Sequence, residues 1–98
     1  MGRARASRFV VALSIAMAAC ASDFERRFAE ADELRLEAAA QGYEWLGTAA
    51  LLDDARTHAE RGDVEAALVL VDKARFQAEA ALLQAEREQE AWQGRVVK

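Results

Sequence analysis

The sequence contains no proline, one cysteine, one histidine and few aromatic residues. The lack of proline removes the residue that most strongly breaks helices, and 24 alanines supply the strongest helix former. One cysteine excludes a disulfide within the chain, and one cysteine with one histidine cannot form a zinc site built from Cys and His ligands alone. The 98 residues suffice for at most one small domain, whose core is thin because alanine buries little apolar surface.

The single cysteine, Cys20, lies close to the end of a short apolar segment that covers residues 9–21. Three arginines precede this segment: Arg3, Arg5 and Arg8. A membrane-spanning helix needs about 20 apolar residues, so a segment of this length is typical of a secretory signal instead. An ordinary signal of this kind would be cut near Ala19 or Ala21.

The residues at positions 17–20, Met-Ala-Ala-Cys, resemble the lipobox of bacterial lipoproteins. The resemblance implies cleavage of residues 1–19 as a signal peptide, a diacylglyceryl thioether on Cys20 and acylation of its amine, for example with palmitate. Several acyl chains would anchor residues 20–98 stably to a membrane. Ala21 stands where an aspartate would indicate retention in the inner membrane, so the resemblance implies the periplasmic face of the outer membrane.

Without residues 1–19, the chain carries ten basic and 17 acidic side chains, a formal net charge of −7. Nucleic acids and anionic lipid surfaces are bound by basic patches. The acidic balance therefore argues against a nucleic acid as the partner of this chain.

The first of three predicted helices begins at Ser22, where Ser22 and Glu25 match a capping box. Gly42 is expected to end it. Its predicted apolar face contains Phe24, Phe28, Ala31, Leu34 or Arg35, and Ala38. The spacing of three and four residues is that of one face of an α-helix.

The second helix is expected from Glu44 to Arg61, unless Gly47 marks a later start. Its predicted apolar face contains Trp45, Ala49, Leu52, Ala55 and Ala59. Gly62 is expected to end this helix and Asp63 to cap the next one, so the two helices form a hairpin with a tight turn.

The third helix is predicted from Val64 to Gln93, about 45 Å in length. Its apolar stripe is Val64, Ala67 or Leu68, Val71, Ala74, Ala78, Ala81 or Leu82, and Ala85. We expect that two shorter helices leave part of this stripe uncovered. The polar end beyond Leu83 is either a projecting helix end or part of an intermolecular coiled coil. The expected fold is all-α: a small antiparallel helical hairpin or a three-helix arrangement, with a long C-terminal helix.

Residues for catalysis or cofactor binding are sparse. Asp54 lies four residues before His58 on one helix face, but no nucleophile is identifiable beside this pair. The sequence has neither a haem-attachment motif nor a glycine-rich phosphate loop. We expect a protein that is not an enzyme and has no cofactor or metal, with a covalent lipid on Cys20 as its one attached group.

Residues 43–90 are similar to the small periplasmic helical proteins called SoxXA-binding proteins, accessories of the thiosulfate-oxidising cytochrome. The matching positions are Trp45, Thr48, Leu52, Ala55, Ala59, Gly62, Asp63, Ala67, Ala74, Gln77, Ala81 and Gln84. The resemblance implies a non-enzymatic protein that docks on a c-type cytochrome, with residues 76–86 as the docking helix.

An uncovered apolar stripe on a small domain usually marks a partner site, and large aromatic residues dominate binding there. The predicted partner-binding residues are Phe76, Ala78, Leu82, Ala85 and Trp92. The partner is expected to be another envelope protein or a second copy of the chain. In the alternative interpretation, the first helix covers the stripe and the chain is a monomer.

Two further functions stay open. One is an adaptor of an unrelated envelope complex. The other is a structural envelope lipoprotein, because the sequence ends in Lys98 and helical murein lipoproteins also end in a lysine that is joined to peptidoglycan.

Overall fold

The computed structural model describes residues 22–95, and 89% of these residues are helical, with no strand among them. The three helices are α1, residues 22–40, α2, Leu46–Glu60, and α3, Val64–Arg95. The predicted all-α class with a long C-terminal helix is confirmed, in its three-helix form. The interpretations of Cys20, of residues 1–19 and of Lys98 concern residues outside the described range.

The helices run up, down and up along one another. α2 and α3 form the predicted antiparallel hairpin around the turn at residues 61–63. The start of α1 lies beside this turn, because Phe24 lines a small cavity together with Val64. The end of α1 lies far along α3, where Ala40 and Ala85 line the same cleft. α1 is therefore parallel to α3 and antiparallel to α2.

α1 ends at Gly42, as predicted, in a hydrogen-bonding pattern that needs a left-handed residue. Gly42 has a φ of 80°. Its N–H donates to the carbonyl of Ala39 at 2.9 Å, and the N–H of Tyr43 donates to the carbonyl of Ala38 at 2.9 Å. This pair of bonds is the Schellman motif, which satisfies carbonyls that the helix itself leaves unpaired.

The turn between α2 and α3 repeats this motif. Gly62 has a φ of 83°, its N–H donates to Ala59 at 3.0 Å, and the N–H of Asp63 donates to His58 at 2.9 Å. Asp63 also opens α3, because its carbonyl accepts a hydrogen bond from the N–H of Ala67 at 3.1 Å. The Asp63 carboxylate lies 3.4 Å from Nδ1 of His58.

The predicted capping box at the start of α1 is wrong. Ser22 already lies within the helix. The Glu25 carboxylate accepts two hydrogen bonds from the Arg56 guanidinium of α2 instead of turning back to the helix start. The same guanidinium lies 5.2 Å from the ring centre of Phe24 and 4.2 Å from that of Phe28. A cation stacked on two rings and paired with a carboxylate holds α1 against α2.

α2 begins later than the earliest predicted start. Trp45 precedes the first helical residue in an extended conformation and makes no side-chain capping bond. Gly47 therefore lies in the first turn of the helix, where its backbone faces the Gln77 side chain. A Cβ at this position would come within 3.4 Å of Gln77 Oε1. The neighbouring Thr48 is buried, and its hydroxyl donates to the same oxygen at 3.0 Å.

The core consists mainly of alanine. The predicted stripe of α3 is confirmed in its buried members: Ala67, Val71, Ala74, Ala78, Ala81 and Ala85. The other buried apolar residues are Phe24, Ala31, Ala38, Leu52 and Ala55. Because an alanine side chain is a single methyl group, backbones across such a stripe can lie close together.

The expectation that part of the stripe is uncovered is wrong. Ala78, Ala81 and Ala85 are each only 1% exposed. The physical reason is the direction of α1, which follows α3 from the turn to Ala85 and covers the stripe together with α2. Beyond this point residues 86–95 are all exposed, which fits both a projecting helix end and one helix of an intermolecular coiled coil.

Replacing Gly62 with alanine is expected to lower the free energy of unfolding by about 1 kcal/mol. The space around a Cβ at Gly62 is open, so the cost comes from the left-handed backbone alone. Gly94, in the exposed end of α3 and also in open space, is the matched control, and Gly94→Ala should not destabilise the fold. Urea unfolding, monitored by far-UV circular dichroism, measures the stability of both variants. Equal stability of the two variants would contradict a left-handed backbone at Gly62.

Candidate protein-binding surface

Several large apolar side chains lie on the outside of this domain. Phe76 is 72% exposed and Trp92 is 66% exposed, while the buried stripe of the same helix is mainly alanine. The other large exposed apolar residues are Leu36, Trp45, Leu46, Val69 and Leu83. Large apolar residues are usually the most buried, so this distribution points to surfaces that another molecule covers.

The five predicted partner-binding residues do not form one surface. Ala78 and Ala85 belong to the core and Leu82 is half-buried, because α1 and α2 pack against this side of α3. Phe76 and Trp92 are exposed, so these two aromatic residues stay available as anchors.

The two aromatic anchors lie on different sides of α3. Phe76 and Trp92 are 16 residues apart, which at 3.6 residues per turn separates them by about 160° around the helix and about 24 Å along it. No single stripe of a straight helix contains both. The structure therefore offers two separate surfaces, one around each aromatic residue.

The first surface, which we call the central face, consists of Val69, Phe76 and Leu83 of α3 with Trp45 and Leu51 at its α2 edge. A shallow cleft of about 660 Å³ lies between Phe76, Trp45 and Leu51, with Asp72 and Lys73 among its polar lining. The three α3 residues are spaced by seven and lie about 180° from the buried stripe.

Sequence reasoning found Phe76 but missed Val69, Leu83 and the outward position of Trp45. The spacing of seven residues between Val69, Phe76 and Leu83 is the signal that could have found them. The longer alanine stripe on the opposite side obscures this signal, because it alone satisfies the pattern of one apolar face on a helix.

The second surface, which we call the distal cleft, lies where α1 ends and α3 continues. Its volume is about 540 Å³. Trp92 and Tyr43 supply its aromatic surface, and Glu88, Gln89 and Arg95 supply much of its polar surface. The Arg95 guanidinium also donates to the carbonyl of Ala91 at 3.1 Å, which orients it along the helix. An aromatic centre with a charged rim is typical of interfaces between proteins that form separately.

Five arginines of residues 22–95 pair with carboxylates along or between the helices. The pKa of Arg35 is raised, first by its hydrogen bond to Asp32 and further by Glu44. The pKa of Arg75 is raised by its hydrogen bond to Glu79. Both guanidiniums are cations in any case, so these shifts add no acid or base near neutral pH.

The carboxylate beside the imidazole of His58 is that of Asp63, which lies 3.4 Å away across the turn. Within residues 22–95 there is no group of three or more His, Cys, Asp or Glu side chains that could hold a metal ion. None of the three helices combines the length and the apolar character needed to cross a bilayer.

Comparison of the chain with protein-family models, with curated proteins and with solved structures gives no match. The resemblance to the SoxXA-binding proteins and the lipobox interpretation therefore stay predictions. The geometry of the central face and of the distal cleft is the basis on which a function can be proposed.

Replacing Ala81 with leucine is expected to lower the free energy of unfolding by about 1–3 kcal/mol, because the larger side chain does not fit between α3 and the helices that cover it. Ala91→Leu, in the exposed end of the same helix, is the control and should stay within about 0.5 kcal/mol of the unsubstituted protein. Denaturant titration measures both. A tolerated leucine at Ala81 would mean that the stripe is uncovered in solution.

Proposed function

We propose that this chain is a non-enzymatic, lipid-anchored helical adaptor of the bacterial cell envelope that binds another envelope protein. The observation that carries the proposal is the position of the aromatic residues: Phe76 and Trp92 point outward from a domain whose core is mainly alanine. Exposed aromatic side chains in clefts are the usual anchors of protein–protein binding.

The distal cleft is the proposed site for the other envelope protein. α3 extends past the end of α1 there, so Trp92 can be approached without displacing another helix. The exposed end carries the acidic residues Glu86, Glu88 and Glu90. A matching partner surface has a pocket for an indole ring and a basic rim.

The family resemblance names a class of partner with this role, the SoxXA cytochrome of thiosulfate oxidation. The docking helix that the resemblance implies, residues 76–86, leads directly into the distal cleft. An unrelated envelope complex as partner would leave the adaptor function intact. Attachment of Lys98 to peptidoglycan would instead favour the structural lipoprotein.

The fold suits a tethered adaptor. Cys20 is two residues before the start of α1, and this start lies beside the α2–α3 turn. The distal cleft is at the other end of α3, whose 32 residues span about 48 Å. The described start of α1, which a lipid on Cys20 would precede in the sequence, and the distal cleft therefore lie at opposite ends of the domain.

Replacing Cys20 with serine is expected to release the protein from membranes, because several acyl chains on one residue provide the proposed anchor. Fractionation of cells that produce each form measures this, and mass spectrometry of the membrane-bound form should find an acylated Cys20. A Cys20→Ser protein that still sediments with membranes would exclude the lipid anchor.

Trp92→Ala is expected to weaken partner binding about 30-fold, corresponding to a loss of about 2 kcal/mol. The control is Leu46→Ala, because Leu46 is 89% exposed and lines neither surface. Affinity capture from an envelope extract with the full chain, followed by titration of the purified partner, measures the effect.

A c-type cytochrome that is captured by the unsubstituted chain and by Leu46→Ala, and is lost with Trp92→Ala, supports both the site and the implied partner. Capture of a different protein with the same dependence on Trp92 supports the adaptor and excludes the cytochrome. Equal capture by all three forms would exclude the distal cleft as the binding site.

A further inference from the structure

We draw no further inference here: the strongest candidate, the central face with Val69, Phe76 and Leu83 of α3, is an exposed apolar surface, and nothing in the structure shows what covers it.

Discussion

The close contact of α3 with its two neighbours is the constraint on which the other features of this structure depend. The buried stripe of α3 offers methyl groups where most helices offer leucine-sized side chains. Its neighbours can then lie near the α3 backbone, but there is little volume between the helices for an aromatic ring. Phe24 is buried at the edge of the bundle, near the turn, while Phe76 and Trp92 are outside. The thin core therefore explains why Phe76 and Trp92 lie on the outside of the domain.

Polar contacts around the rim complement this core. Arg75 of α3 pairs with Glu30 of α1 at 3.2 Å, and Arg56 of α2 joins Glu25 and the two phenylalanine rings of α1. Each exposed ion pair contributes little, typically up to about 1 kcal/mol. Their effect is on the alignment of the helices. Ion pairs at several positions along α1 favour one register of this helix against α2 and α3.

Much of the fold could be predicted from the sequence, because its signals are local. Gly42 and Gly62 predict helix ends because glycine adopts a positive φ more readily than other residues. The buried side of α3 is predicted by the helical spacing of its alanines. The length of α3 beyond its neighbours also follows from residue counts. These features need no knowledge of how distant segments meet.

The candidate surfaces were harder to predict because they depend on where α1 lies. The spacing of residues in the sequence does not show whether α1 packs on Ala78, Ala81 and Ala85. Because α1 does so, these three alanines belong to the core and are not available to a partner. The capping box failed for a similar reason. In a capping box, the Glu25 carboxylate would accept a hydrogen bond from the backbone N–H of Ser22. It binds the guanidinium of Arg56 instead, which is 31 residues away in the sequence and carries a full positive charge.

The alanine core also affects how the protein responds to temperature. The heat-capacity change of unfolding comes mainly from newly hydrated apolar surface, and methyl groups expose little of it. A small heat-capacity change flattens the curve of stability against temperature, so the free energy of unfolding varies slowly between cold and warm conditions. The unfolding enthalpy scales with the number of residues, so it is low in a domain of this size, and a low enthalpy makes the thermal transition broad. A domain with this core loses its helices gradually over a wide interval instead of at a sharp melting point.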